Sequence, residues 1–215
     1  MKNFREMTTK EKIRSLILYG IGIVFMPLGV VLTINAHTGA GGIDALDFII
    51  SEKLHVSTSV VIYALAILVV IITAIIRRGF PRITTFISSF FLGIFTDLWK
   101  SLLKGIEGSG IFSSYGMLIL GMVIIAASVA AYMISSLPTN PNDDFVVALT
   151  EKGWKVAWAK VLLDGTAVVT AFFLGGEIGI GTVIITLGLG PVIGFFHKYM
   201  VKFIVGSRKA EKSAA

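Results

Sequence analysis

Long apolar runs divide the chain into six segments, each about as long as a helix that crosses a bilayer. They cover residues 16–36, 57–76, 83 to about 103, 111–134, 156–175 and 182–203. About 20 apolar residues in a helix cross a hydrocarbon core of about 30 Å. The runs do not alternate apolar and polar residues as the strands of a membrane barrel do. The pattern predicts an all-α, polytopic membrane protein with six transmembrane helices.

Two shorter stretches between the runs mix polar and apolar residues. Residues 43–54 follow the first run, and residues 143–152 follow the fourth. Each stretch comes after residues that break a helix, glycines at 39–42 and prolines at 138–141. Because about ten residues are too few to cross a bilayer, both stretches are predicted to be short broken or re-entrant helices.

Composition supports the membrane class and excludes several others. The chain is 55% hydrophobic and 15% charged, with a mean hydropathy of +0.87, whereas a soluble domain carries about 25% charged residues. The absence of cysteine excludes disulfides and thiolate chemistry. The net charge of +6 does not indicate nucleic-acid binding, because the basic residues lie at the ends of the apolar runs and form no patch with aromatic residues.

The placement of basic residues predicts the topology. If the amino terminus is cytoplasmic, all but three of the 19 lysines and arginines fall on the cytoplasmic side, the exceptions being Lys53, Lys100 and Lys104. Cytoplasmic loops carry an excess of Lys and Arg. We therefore expect both termini in the cytoplasm and an even number of spans.

The two halves of the chain repeat one pattern: span, helix breaker with an acid, short helix, span, link, span. Gly22 pairs with Gly121 and Asp44 with Asp143, both at an offset of 99 residues. Since each half holds three spans, the halves are predicted to insert in opposite orientations, as in many transporters. The alternative is an old duplication kept only as a scaffold. The predicted units are a basic head at 1–15, repeat one at 16–105, repeat two at 106–205 and a tail at 206–215.

Three motifs resemble the YczE/YyaS/YitT family of bacterial integral membrane proteins over about residues 15–205. They are the T-G-x-G-G-x-D pattern at 38–44, Gly93-x-x-x-Asp97, and the glycine-dense segment 175–182 followed later by Gly190-Pro191. In the second half the family is expected to carry a Gly-Pro-x-Asp core. Here residues 140–143 read Asn-Pro-Asn-Asp. The resemblance implies a bacterial inner-membrane location and a role in transport.

Asp44 and Asp143 are the first candidates for binding chemistry. As carboxylates beside helix breaks within a bilayer, they can hold a cation or a proton. The alternative is that each caps a short helix, where aspartate is favoured. The predicted substrate-binding residues are Asn35, Thr38, Gly41, Gly42, Asp44, Asn140, Asp143 and Asp164.

Three acids are candidates for ion coupling. Asp164 lies in the middle of a span, where a charge is costly, and its alternative role is a local salt bridge to Lys160. Asp97 lies near the outer end of its span and can be interfacial instead. Glu177 lies in the glycine-dense link, where a solvated loop carboxylate is the alternative.

No set of residues indicates an enzyme, a metal site or a cofactor. His37, His55 and His197 lack metal-ligand spacing, and the glycine-dense link has no following lysine as a phosphate-binding loop would. No catalytic residues are therefore predicted.

The sequence favours a small secondary carrier or channel-like protein for a small solute, either a cation or an amine. A membrane accessory protein that assists another enzyme is the main alternative, and an intramembrane enzyme is the third. The expected partners are the lipid bilayer, the solute and a second copy of the chain, which would pack through the small-residue faces of spans four to six.

Overall fold

Eight α-helices make up the part of the chain that the computed structural model describes, residues 7–135, 137–154, 156–176 and 178–213. They are α1 (Thr9–Asn35), α2 (Gly42–Leu54), α3 (Thr58–Arg77), α4 (Thr84–Leu102), α5 (Ile111–Ile134), α6 (Pro141–Glu151), α7 (Val156–Phe173) and α8 (Ile180–Ser213). No β-strand occurs in those ranges. The predicted all-α class is confirmed.

Four helices within the described residues are long and apolar enough to cross a membrane. They are α1, α3, α5 and the Ile180–Lys202 part of α8. Large apolar side chains such as Ile67, Ile71 and Leu187 lie exposed on their outer faces. A soluble protein rarely exposes so much apolar surface. The chain is therefore a membrane protein whose helices contact lipid.

Helix α1 begins at Thr9, seven residues before the predicted first run. The cause is a capping box: Glu11 N donates to Thr8 Oγ1 at 3.4 Å, and Thr8 N donates to the Glu11 carboxylate at 3.0 Å. These bonds satisfy amide groups that the first helical turn leaves free. Much of the segment predicted as a basic head is thus helical, because hydropathy marks the start of the apolar run and not the start of the helix.

The two short helices α2 and α6 agree with the two short stretches that the sequence predicts. Gly41 is the N-cap of α2, and Asn140 is the N-cap of α6, with its Oδ1 accepting from Asn142 N at 3.0 Å. Pro141 takes the first helical position, where its missing N–H costs nothing. Asp44 and Asp143 each occupy the third position of a short helix, so neither aspartate is the N-cap.

A close crossing of α1 and α5 forms the centre of the fold. A Cβ atom added at Gly22 would lie 2.7 Å from Ser128 O, and one added at Gly121 would lie 2.6 Å from Gly29 O. Small residues at such contacts allow two helix backbones to approach closely. The crossing therefore depends on these glycines.

The remaining helices pack around this crossing. α4 packs on α1 and α3, α8 packs on α5, α2 packs on α7, and α6 packs on α3. Trp99 Nε1 of α4 donates to Val24 O of α1 at 2.8 Å. Gly93 of α4 faces the Tyr63 ring of α3. These contacts hold the two short helices against spans from the opposite halves of the chain.

Candidate functional site

A cavity of about 170 Å³ lies where the helices meet, and all eight helices contribute to its wall. At about 30 Å³ for each water molecule in the liquid, this volume suits a small solute. Apolar side chains such as Met26, Val30, Phe48 and Leu92 form much of the wall. The polar groups come mainly from α2, α6 and α7.

Both helix breaks reach this cavity. Gly41 and Gly42 line it from the start of α2, and Asn140 lines it from the start of α6. A Cβ atom at Gly42 would lie 2.7 Å from Asp164 O, so the glycine lets α2 begin directly against α7. Asp44 and Asp143, at the same position of their two helices, also line the cavity. The structure thus brings together two motifs that lie far apart in the sequence.

Four carboxyl groups and one ammonium group line the cavity. They belong to Asp44, Asp47, Asp143, Asp164 and Lys160. Lys160 Nζ lies 2.9 Å from Asp164 Oδ2, one helical turn along α7. The salt bridge that the sequence offered as the alternative role of Asp164 is therefore present, and it faces the cavity. The excess of carboxyl groups favours a positively charged ligand or bound protons.

The surroundings of Asp143 and Asp44 favour their neutral forms. The buried Tyr132 hydroxyl donates to Asp143 Oδ2. Burial raises the pKa of Asp143 above its usual value, although the Tyr132 hydrogen bond and Lys160 oppose this rise. Burial, together with the nearby Asp164 charge, raises the pKa of Asp44 to about 7. Both aspartates lie in short helices that do not span the membrane, and Asp44 can exchange protons near neutral pH.

Asp47 is a cavity residue that the sequence reasoning missed. It is 8% exposed, and its Oδ1 atom is buried without a hydrogen-bond partner. The sequence predicted a short broken or re-entrant helix here and did not single out Asp47 as a site residue. The available signal was its spacing, because residues three apart lie on the same face of a helix and Asp47 comes three after Asp44.

Asn35 lies outside the cavity wall and connects two segments of the chain. Its Nδ2 donates to Leu103 O at 3.3 Å and to Ile106 O at 2.9 Å, and its own carbonyl accepts from Gly108 N at 2.9 Å. The amide therefore fixes the segment that joins α4 to α5 against the end of α1.

Thr38 also lies outside the cavity wall, in a tight backbone crossing beside Gly41. Gly181 N donates to Thr38 O at 2.8 Å. Added Cβ atoms at Gly179 and Gly181 would lie 2.4 Å from Thr38 O and Gly39 O, respectively. The glycine-dense link before α8 therefore packs directly on the first motif and covers the break between α1 and α2.

Of the two predicted ion-coupling acids that the structure describes, Asp164 lines the cavity and Asp97 does not. Asp97 lies outside its wall and accepts from Ser59 N, at 3.2 Å to Oδ1 and 3.4 Å to Oδ2. It thereby satisfies a free amide in the first turn of α3. Glu177 lies outside the described residues.

A second group of charges lies directly beside Asp143. Arg77 Nη1 is 2.5 Å from Asp144 Oδ2, and Arg77 Nε is 2.8 Å from Glu151 Oε2. Arg82 Nη1 is 3.1 Å from Asp144 Oδ1. This cluster, formed by Arg77, Arg82, Asp144 and Glu151, joins the end of α3 to α6 at the side of the second motif.

The described residues contain no group of three or more His, Cys, Asp or Glu side chains that could hold a metal ion. The cavity acids are spread over three helices, with only Asp44 and Asp47 on the same one.

Comparison with known proteins places most of the chain in one group of membrane proteins. A family of unknown function, DUF6198, matches residues 13–198. The uncharacterised membrane protein YczE of Bacillus subtilis (strain 168) is 28% identical over 182 residues, which cover 82% of this chain and 82% of YczE. The uncharacterised protein YyaS of the same organism is 28% identical over 184 residues, 85% of this chain and 90% of YyaS.

An uncharacterised protein of Haemophilus influenzae is 21% identical over 191 residues, which cover 88% of this chain and 85% of that protein. No solved structure matches the chain. The two Bacillus relatives confirm the resemblance to the YczE and YyaS family that the sequence motifs indicate.

Proposed function

Because the chain belongs to the family of unknown function DUF6198, we propose a function from the geometry of its cavity: the protein is a small secondary carrier, or a channel-like protein, for a small cationic or amine solute. The observation that carries the proposal is the meeting of both acid-bearing helix breaks in one small cavity with an excess of carboxyl groups. No enzymatic step is part of the proposal.

The wall of the cavity fits the proposed solute in chemistry. An ammonium group can pair with Asp44 or Asp143, and the apolar wall around Phe48 and Met26 can cover the solute's hydrocarbon part. A mainly apolar cavity with a few converging polar groups is typical of a small-molecule site.

Six spans in two inverted repeats complete the proposal. Helices α4 and α7, of 19 and 18 residues, fall in the range of about 17–25 residues that crosses a bilayer. The contact of Gly22 with Ser128 has its counterpart in the contact of Gly121 with Gly29, as a two-fold arrangement requires. We place both termini in the cytoplasm of a bacterial cell, with the protein in the inner membrane.

In such an architecture the solute reaches the cavity from alternate sides as one half moves against the other. The Arg77–Asp144 pair and the contact of Thr38 with Gly181 lie beside the two motifs. We assign them as the contacts that open alternately on the cytoplasmic and the outer side.

A homodimer is also part of the proposal. Gly165, Gly190 and Gly194 on α7 and α8 would accept a Cβ atom without meeting another atom of the chain within 4 Å. These outward-facing small residues suit close contact with a second copy. Light scattering of the detergent-purified protein would give the mass of a dimer, and the mass of a monomer would remove this part of the proposal.

The test of the proposed function is a thermal-shift screen of the purified protein against small cations, amines, vitamins and nucleosides. A solute present at 100 times its dissociation constant stabilises the folded state by about 2.7 kcal/mol. We expect such a shift for one class of cation, and we expect Asp44→Asn and Asp143→Asn to abolish it. Asp97→Asn is the matched control, because Asp97 lies outside the cavity wall and should leave the shift intact.

Flux of the identified solute into proteoliposomes then separates a carrier from a protein that only binds. The same two variants should lose flux while they remain folded. Silence across the whole library, with all variants equally stable, would contradict the proposal and favour the accessory-protein alternative.

A further inference from the structure

Asp47 combines three properties that no structural role explains. It is 8% exposed, it belongs to the cavity wall, and its Oδ1 atom is buried without a hydrogen-bond partner. None of the ion pairs formed by the described residues includes it. An ionised carboxylate is strongly disfavoured in such a place, and proteins avoid burying the charge by neutralising the group.

A proton is the neutralising ion that the surroundings favour. A metal ion needs several oxygen ligands around it, and the described residues contain no group of three or more His, Cys, Asp or Glu side chains that could hold one. A proton needs only one carboxyl oxygen. Burial raises the pKa of Asp47 well above its usual value, and the nearby Asp44 charge raises it further.

Asp44 provides the route by which a proton can be exchanged. It lies three residues before Asp47 on the same face of α2, and it is partly accessible where Asp47 is buried. Two carboxyl groups that interact in a site of low dielectric do not both ionise readily, so they titrate as a pair. The partly accessible member can take up or release the proton at the cavity, and the buried member can store it.

We propose that Asp44 and Asp47 form the proton-coupling site of the carrier, in which Asp47 stores a proton and Asp44 exchanges it with the cavity. The inference rests on the proposed function and names its coupling ion. When a solute cation enters the cavity, one proton leaves the pair to water, and the resulting carboxylate balances the charge of the solute. When the solute leaves, the pair takes up a proton again.

The other titratable groups around the cavity set the charge that this pair faces. They are Tyr132 from α5, Asp143 from α6, and Lys160 and Asp164 from α7, whereas α1, α3 and α8 line the cavity with residues that do not titrate. On the α4 side, Lys100 Nζ lies 4.7 Å from the centre of the Phe48 ring and donates to Thr58 Oγ1 at 3.2 Å. Lys160 forms its ion pair with Asp164. The negative charge of Asp44 and Asp47 is therefore neutralised mainly by proton binding.

Infrared spectroscopy of the protein in lipid vesicles tests the proposal without any solute. A protonated carboxylic acid has a C=O stretching band that an ionised carboxylate lacks. We expect this band at about neutral pH in the wild type, with an intensity that falls as the pH rises through the range in which the pair titrates. The Asp47→Asn variant should lose the part of this band that the Asp47 acid contributes, and Asp97→Asn, outside the cavity wall, should keep the band in full.

Asp47→Glu keeps the test decisive if Asp47→Asn does not fold. A longer side chain changes the surroundings of the acid, so the band should shift in position and in its pH dependence. Spectra that are the same in the wild type and in both Asp47 variants would overturn the proposal. This spectroscopic readout needs no solute, so its result is independent of the solute screen. The proton site can therefore fail while solute binding is found, and it can be established while no solute binds.

Discussion

At the scale of single residues, the acids of the cavity differ in what neutralises them. Asp164 has the Lys160 ammonium at 2.9 Å, and Asp143 accepts from the Tyr132 hydroxyl. Asp47 has a buried oxygen without a partner. Identical side chains in one cavity are therefore suited to different tasks, since the surroundings of an acid determine its proton affinity.

Asp44 makes the stability of the protein depend on pH. Its pKa of about 7 in the folded state is raised above the ordinary value of 3.8, so between these values the folded state binds more protons than the unfolded state. This contribution to stability is complete below about pH 4 and is lost as the pH rises through about 7, with a slope of at most about 1.4 kcal/mol per pH unit.

We therefore expect the melting temperature of the wild type to fall between about pH 5 and about pH 7.5. Asp44→Asn should have a flatter profile, and Asp97→Asn should keep the wild-type slope. The measurement is thermal unfolding in detergent across this pH range. A wild-type slope that persists in Asp44→Asn would show that other groups are responsible.

The sequence indicates some of these residues and not others for a physical reason. Asp44 and Asp143 stand next to helix breakers, and Asp164 interrupts an apolar run, so each is visible against its neighbours. Asp47 lies in a stretch that mixes polar and apolar residues, so it does not differ from its neighbours. Asp47 faces the cavity because α2 packs against α7, and the sequence does not show this packing.

At the scale of helices, the crossing of α1 and α5 decides how the two halves of the chain meet. Gly22 and Gly121 were paired in the sequence by their offset, and the structure places both at this crossing. The offset marked the two positions as equivalent. The distance between their helices could not be predicted, because it depends on which faces meet.

The glycines of α1 provide a matched pair of substitutions. A Cβ atom at Gly22 would lie 2.7 Å from Ser128 O, whereas one at Gly20 meets nothing within 4 Å. Gly22→Ala should destabilise the protein by about 1–3 kcal/mol, since overpacking forces the backbones apart. Gly20→Ala should be neutral or slightly stabilising, since alanine favours helix more than glycine does.

Thermal unfolding of the two variants in the same detergent is the measurement. Equal melting temperatures for both would mean that α1 and α5 do not approach as closely as described. The comparison is clean because the two positions lie in the same helix, two residues apart.

At the scale of the whole molecule, the number of spans and their direction remain predictions. The order of apolar runs predicts six spans, and four helices among the described residues meet the criteria of length and composition. α4 falls outside those four and carries Thr96, Asp97 and Lys100 along its length. These polar groups face other helices and not lipid, a distinction that hydropathy alone does not make.

Cysteine labelling tests the six-span arrangement in a chain that has no cysteine of its own. Lys104 and Lys152 are both exposed, the first between α4 and α5 and the second at the end of α6. We expect a membrane-impermeant thiol reagent to label Lys104→Cys from outside intact cells and Lys152→Cys only after the membrane is opened. Labelling of both from the same side would contradict two inverted halves.

The cluster that joins Arg77 and Arg82 to Asp144 has a consequence for the order of events during synthesis. Arg77 lies 67 residues before its partner, so at about 5–20 residues per second the ribosome needs several seconds more to make Asp144. During that interval neither arginine is neutralised by Asp144, so both positive charges can influence the direction in which α3 inserts into the membrane. Once α6 has packed against α3, Asp144 and Glu151 neutralise the same arginines. The segment between α3 and α4 then attracts anionic lipids less strongly than its basic sequence alone would suggest.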